Sequence, residues 1–298
     1  MLKRTIAITS PCSLTQRNAQ LIITSSDGTS KSVPIEDLST VIIENQRATI
    51  SIPAINALTE SNVAVILCDN KMMPSSLIFP LEGHTLQGER YRVQLEASLP
   101  QKKNIWKQVI ESKIRNQAAL LNRQGKNGNL LKPYYSSVKS GDSDNREGIA
   151  AAAYWKELFG HEFVRTPKGE PPNNLLNYGY AILRAATSRA IVSAGMLPSL
   201  GIHHKNKYNP FPLADDLMEP FRPWVDELVF ELWNDNQMEL TVDVKQKLIQ
   251  VVYEDAQVSD RRHPLSIALS MLCTSVVQVM KGEAIDLNTP SMLKSTLK

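Results

Sequence analysis

The sequence predicts an α+β chain of two domains: a small N-terminal β-sheet domain, sandwich-like with one helix, and then a larger all-α domain. Three observations predict it. Short β-branched runs separated by turn residues fill the chain to about residue 80. From Glu89 the apolar residues recur at helical spacing. The charge also changes there: residues 1–89 hold 6 Lys/Arg against 8 Asp/Glu, whereas residues 90–139 hold 11 against 2.

In the first part, Thr5–Ile8, Gln20–Thr24, Ser32–Ile35, Thr40–Glu44 and Ala48–Ile52 read as strands, mostly antiparallel, with Ser26-Asp27-Gly28 the clearest hairpin tip. Pro53–Glu60 switches to helical spacing with proline in its first turn, and Asn62–Asp69 is an apolar strand. No catalytic constellation occurs here, so residues 1–80 are expected to serve dimerisation or assembly. Residues 70–88 carry Pro74, Pro80, Gly83 and Gly88 and read as irregular, with the linker at 81–88.

The second part, 89–285, opens on a helix whose stripe is Ile105, Val109, Ile110, Ile114, Ala118 and Leu121, with Lys107, Lys113 and Arg115 off it. Residues 129–143 read as a loop. Asp144 and Glu147 then precede the alanine run 150–153. Asp with Glu three residues later is a capping box; alternatively, Glu147 is a carboxylate that small alanines allow close to neighbouring helices. A central helix runs from Asn174 to Gly195, and helices follow at Trp224–Trp233, Val242–Tyr253 and Leu265–Met280. Residues 286–298 have little periodicity and read as a flexible tail.

Between the central helix and Trp224 lies Gly201-Ile202-His203-His204, followed by Asp215, Asp216 and Glu219. Two imidazoles and three carboxylates without a nearby thiolate suit Mg²⁺ or Mn²⁺ better than structural zinc. Asp216 and Glu219 would share a helical face, but Pro220 disfavours helical geometry at Glu219. The +9 balance of residues 90–139 is the footprint of a phosphate-backbone binder. Cys12, Cys68 and Cys273 match no metal or redox spacing and read as reduced thiols. Neither a membrane span nor a signal peptide is legible, so a cytoplasmic location is expected.

Three segments together resemble the universal CRISPR-associated integrase, the endonuclease subunit of the spacer-acquisition machinery. They are Glu147-Gly148-Ile149-Ala150-Ala151 leading to Tyr154-Trp155, Asn174–Tyr180, and Gly201–His204 with Leu213–Pro223. Lys113-Ile114-Arg115-Asn116-Gln117 is a fourth, weaker match. Length and the Glu-Pro-Phe-Arg ending look like the type II branch. The resemblance implies that Glu147, His204 and Glu219 are catalytic metal ligands, with His204 chosen because the family pattern is Gly-x-x-His. His203 is left to packing or a DNA-facing role. It further implies Asp216, Asn177 and Tyr178 beside the site, Asp216 binding either through water or simply as a helix-start acid. Lys107, Lys113, Arg115 and Arg222 are candidates for contacting double-stranded DNA. The partners implied are a second copy of the chain, a small ferredoxin-like adaptation subunit and type II effector proteins. The activity implied is insertion of spacers by 3′-hydroxyl transesterification; the competing expectations are a non-catalytic DNA-binding assembly subunit and a generic metal-dependent nuclease.

Overall fold

The computed structural model describes residues 3–292 apart from residue 205. The chain divides into two compact units, Met1–Thr85 and Leu86–Lys298.

The first unit contains β1 (Arg4–Ile8), β2 (Cys12–Arg17), β3 (Gln20–Ser25), β4 (Ser30–Pro34), β5 (Leu38–Ile43), β6 (Thr49–Ile50), α1 (Ile52–Glu60), β7 (Ala64–Cys68) and β8 (Pro74–Ile78). One sheet has the order β1-β5-β7-β8 and the other β4-β3-β2-β6. Side chains from both sheets, among them Leu14, Leu21, Val41 and Val65, share one core with Leu58 of α1. The pairing is mixed rather than mostly antiparallel: β1, β5 and β7 run parallel, as does β6 beside β2. The crossover through α1 from β5 to β7 imposes this, because parallel neighbours cannot be joined by a tight turn. Two strands escape the sequence pattern. β2 is a polar run in which Leu14 carries the burial, and β8 lies inside the stretch that reads as irregular. Its leading Pro74 is tolerated because β8 is an edge strand and Pro74 begins it.

The second unit holds α2 (Gln87–Glu96), α3 (Leu99–Arg123), α4 (Lys132–Tyr135), α5 (Arg146–Phe159), α6 (Asn173–Ser193), α7 (Pro212–Met218), a 3₁₀ turn at Glu219–Phe221, α8 (Arg222–Asn234), α9 (Val242–Ile249) and α10 (Leu265–Lys281). It is not all-α: β9 (Asp255–Val258) and β10 (Arg261–Pro264) form an antiparallel hairpin, turned at Ser259, whose φ is +54°. The long helix α3 starts with a capping box between Ser98 and Gln101. Its stripe Ile105, Val109, Ile110, Ile114 and Leu121 is buried, each side chain contributing about 1.5–3 kcal/mol. The central helix α6 approaches α8 closely because position 179 is glycine; a Cβ there would stand 2.5 Å from Val225 Cγ1.

Residues 286–292 are not a flexible tail. Ser112 Oγ and Asn116 Nδ2 donate to the Pro290 carbonyl, and the Met292 N–H donates to Asn116 Oδ1. Ser291 bridges Gln257 of β9. The segment has no periodicity because hydrogen bonds from side chains, not a repeating apolar face, hold it. Residues 293–298 of the expected tail lie outside the described residues. Among the described residues, no helix is long and apolar enough to cross a membrane.

Candidate metal centre

The N-terminus of α5 is satisfied without Glu147. Asn145 is its cap, in the left-handed region at φ +52°, and its side chain accepts the Gly148 N–H at 3.3 Å. Asp142 takes the N–H groups of Arg146 and Glu147 at 2.8 and 3.1 Å. Asp144 instead faces Lys139 at 2.8 Å. The capping-box reading of Asp144 and Glu147 therefore fails: a left-handed Asn145 places Glu147 at the second helical position, not the third. Its carboxylate is free to reach sideways, and it meets Lys113 of α3 at 2.5 Å.

The same ammonium stands 2.6 Å from Glu219 Oε2. Two acids 72 positions apart thus converge on one cation, with their oxygens no more than about 5 Å from each other. Arg222 Nε approaches Glu219 Oε2 at 2.9 Å. Burial works to raise the Glu219 carboxyl, but Arg222 and Lys113 bring it below the ordinary carboxylate value. Pro220 does not distort Glu219, which keeps helical φ and ψ of −52° and −45°. The proline acts on the next turn: α7 gives way to a 3₁₀ turn, and Asn116 Nδ2 donates to the Pro220 carbonyl at 2.9 Å. Lys113 and Asn116 are three apart on α3; one grips the Glu219 side chain and the other the backbone next to it.

His204 sits on the loop before α7. Asp216, sealed from solvent, lies 2.5 Å from His204 Nδ1 and accepts the N–H groups of Ile202, His203 and His204 at 2.6, 2.9 and 3.2 Å. Both Asp216 oxygens are therefore committed to the loop, which makes it a positioning group and leaves Nε2 as the imidazole's remaining nitrogen. The Asp216 hydrogen bond raises the His204 pKa despite partial burial. This loop needs Gly201: a Cβ there would fall 2.5 Å from the His204 carbonyl and 3.2 Å from Asp216 Oδ2. His203 has the packing role, stacked on Trp106 with ring centroids 4.2 Å apart and planes 2° apart.

The other expected residues separate. Asn177 accepts from Arg165 and donates to the Pro167 carbonyl, anchoring the loop before α6. Tyr178 is buried under Lys245 of α9. Tyr180, two residues on, is the tyrosine that lies under Arg222, at 4.5 Å, and its hydroxyl donates to Asp226. Tyr154 donates to the same carboxylate at 2.7 Å; burial pushes Asp226 up to about 6 against both hydrogen bonds. Lys113 and Arg222 are not DNA-facing, since Glu219 holds both. Lys107 pairs with Glu111 at 3.6 Å, and Arg115 is exposed over the Tyr135 ring. Sequence reasoning assigns no role to Trp106, Asn116, Tyr180 or Asp226, although Asn116 and Tyr180 lie inside segments that carry the family resemblance, Lys113–Gln117 and Asn174–Tyr180.

Among the described residues, no group of three His, Cys, Asp or Glu side chains stands in ready ligand geometry, since Lys113 lies between the two glutamates. The donor set nonetheless fits a divalent cation. The Glu147 and Glu219 oxygens already flank a positive charge. The His204 ring is 43% exposed, and Glu219 lies close enough for its charge to act on it. Carboxylate and imidazole donors suit Mg²⁺ or Mn²⁺.

Fold and site define a two-unit α+β protein whose helical unit holds a glutamate pair joined through Lys113, with His204 near enough to feel the Glu219 charge. The chain belongs to the family described as CRISPR associated protein Cas1, which matches residues 6–257. It is 35% identical to the CRISPR-associated endonuclease Cas1 of Neisseria meningitidis serogroup C (strain 8013), over 98% of this chain and 97% of that protein. Among solved structures, a casposase bound to integration product is similar with a TM-score of 0.82 and 20% identity, covering 100% of this chain and 96% of that one. A chain of a Cas6-RT-Cas1–Cas2 complex is similar with a TM-score of 0.76 and 21% identity, covering 99% of this chain and 36% of that one.

Proposed function

We propose that this chain is a divalent-metal-dependent DNA endonuclease and integrase of CRISPR adaptation, inserting short spacers at repeat boundaries of the array. The observation that carries the reading is the convergence of Glu147 and Glu219 from separate helices on one cation, beside a histidine oriented by Asp216. The Neisseria relative is named an endonuclease, which supports nuclease chemistry. Glu147, His204 and Glu219 would hold the ion. When bound, Mg²⁺ or Mn²⁺ polarises a phosphoryl oxygen and assists deprotonation of the attacking hydroxyl.

The chain's own residues set the stage. Asp216 fixes the ring of His204 and its Nδ1, a second-sphere contact of the kind that orients metal-bound histidines. Arg222, laid on Tyr180, fixes the Glu219 carboxylate. In the reaction, a DNA 3′-oxygen forms a bond to the repeat phosphorus, the original phosphorus–O3′ bond breaks, and the freed 3′-oxygen takes up a proton. Hydrolytic nicking is the same displacement with water. Holding a 3′-end in place contributes up to about 7–11 kcal/mol, enough for a hydroxyl to outcompete water. The enzyme would act in the cytoplasm as a homodimer joined through its β unit, with a small ferredoxin-like subunit and, in the type II branch, effector proteins. The similarity to a chain from a Cas1–Cas2 complex supports a protein partner.

The test offers labelled duplex with 3′-hydroxyl ends, a plasmid carrying the repeat, Mn²⁺ and the partner subunit. Label should enter the plasmid, and both dideoxy ends and Glu147→Gln should abolish transfer. Appearance of shortened fragments alone would favour a plain nuclease. Transfer by a folded Glu147→Gln protein would remove the metal centre from the chemistry.

A further inference from the structure

Lys113 sits where a surface lysine has no reason to be. Its side chain is 7% exposed, that of Glu219 is 6% exposed, and the ammonium touches both glutamates. Two carboxylates this close, one of them buried and the other, Glu147, one-third exposed, repel each other and need positive charge between or beside them. Lys113 and Arg222 supply two charges against the two of Glu147 and Glu219, so the four side chains are neutral with no further ion. The two cations differ in kind. Arg222 is committed to the Tyr180 ring at 4.5 Å, whereas lysine is a compact charge on a flexible four-carbon stem.

We propose that Lys113 is a built-in counter-cation of the carboxylate pair: it holds Glu147 and Glu219 together when no divalent ion is bound and competes with that ion for the same two oxygens. The inference rests on the reading of Glu147 and Glu219 as ion-holding residues. It makes Lys113 a positioning residue and gives α3 a reason to place a lysine, not an apolar residue, at a buried position between Val109 and Gln117. Without it, the metal-free pair would carry uncompensated negative charge. With it, the site is formed in advance, at the expense of affinity for the ion.

The experiment measures Mn²⁺ binding to the chelator-treated full-length protein, through the paramagnetic resonance signal of free Mn²⁺, alongside thermal unfolding with and without Mn²⁺. Lys113→Met keeps the length and removes the charge. It should bind Mn²⁺ at least about tenfold more tightly than the wild type, as expected for removal of a like charge a few ångströms from the ion. Its unfolding midpoint should fall without metal and recover towards the wild-type value with Mn²⁺. Equal or weaker binding by a folded Lys113→Met protein overturns the proposal. If that variant does not fold, Lys113→Arg decides: a fork that can grip both carboxylates should weaken Mn²⁺ binding, and equal or tighter binding overturns the proposal. If the wild type binds Mn²⁺ no better than Glu147→Gln does, the ion-site reading itself fails and takes this proposal with it. Wild-type binding that depends on Glu147 but not on the charge at position 113 overturns this proposal alone.

Discussion

Asp216 has no access to solvent and still takes four hydrogen bonds, all from residues 202–204. Loop position and imidazole orientation therefore depend on one carboxylate. The sign of the pH effect follows from His204. Its folded pKa is raised by Asp216, so the pair adds stability that is complete below the ordinary histidine value of about 6.5 and is lost as pH rises through the raised value. On the proposed function activity runs the other way, because an imidazole that is to hold the ion must be neutral: strand transfer should then rise with pH through a midpoint above the ordinary histidine value. Asp216→Asn should move that midpoint to lower pH and reduce the maximal rate by about 10–100-fold, the usual effect of removing a second-sphere partner. A pH–rate profile at Mn²⁺ well below saturation, where proton and metal compete for the imidazole, checks both, and an unmoved midpoint would deny Asp216 its hold on the ring.

The elements that matter are α3 and the loop from 201 to 211. The α3 stripe is legible as periodicity, as are most helices, because burial of one face repeats every three to four residues. What α3 does with its other positions is not: Trp106, Lys113 and Asn116 act across the unit on residues about 100 positions away, and no local pattern encodes that. Glu147 misleads in its own segment for a similar reason. Asp144 and Glu147 have capping-box spacing, and only the left-handed backbone of Asn145 shifts the helix start by one residue. The three ligand candidates come from family likeness rather than from spacing. In the loop, Gly201→Ala should force the His204 carbonyl and Asp216 apart, lowering stability by roughly 1–3 kcal/mol as overpacking does and disabling strand transfer. Urea unfolding with a parallel transfer assay would show it; a wild-type result in both would mean that the loop has slack.

At the scale of the whole molecule, the charge of residues 90–139 is partly used inside the fold. Lys113 is buried, Lys107 pairs with Glu111, Arg123 with Glu227 and Lys139 with Asp144, and Arg90 donates to the Ala194 carbonyl. Arg92, Lys103, Arg115 and Lys132 remain exposed. If the helical unit binds duplex DNA, reversing Lys103, Arg115 and Lys132 to Glu should weaken all sequences alike and flatten the plot of log affinity against log salt by about 0.9 for each phosphate ion pair removed. Titrations at several salt concentrations test this, and an unchanged slope would remove these three residues from the DNA path.

The bonds made by Asn116 carry a consequence for synthesis. This side chain joins the Pro220 carbonyl, just after Glu219, to Pro290 and Met292, across 104, 174 and 176 positions. Partners this distant in sequence meet late. While the ribosome has yet to release residue 292, Asn116 lacks its later partners and the Glu219 turn lacks its finished support. A partly made chain thus holds every acid of the centre before it holds their final spacing, and the nascent protein leaves the ribosome's tunnel as an unassembled cutting tool.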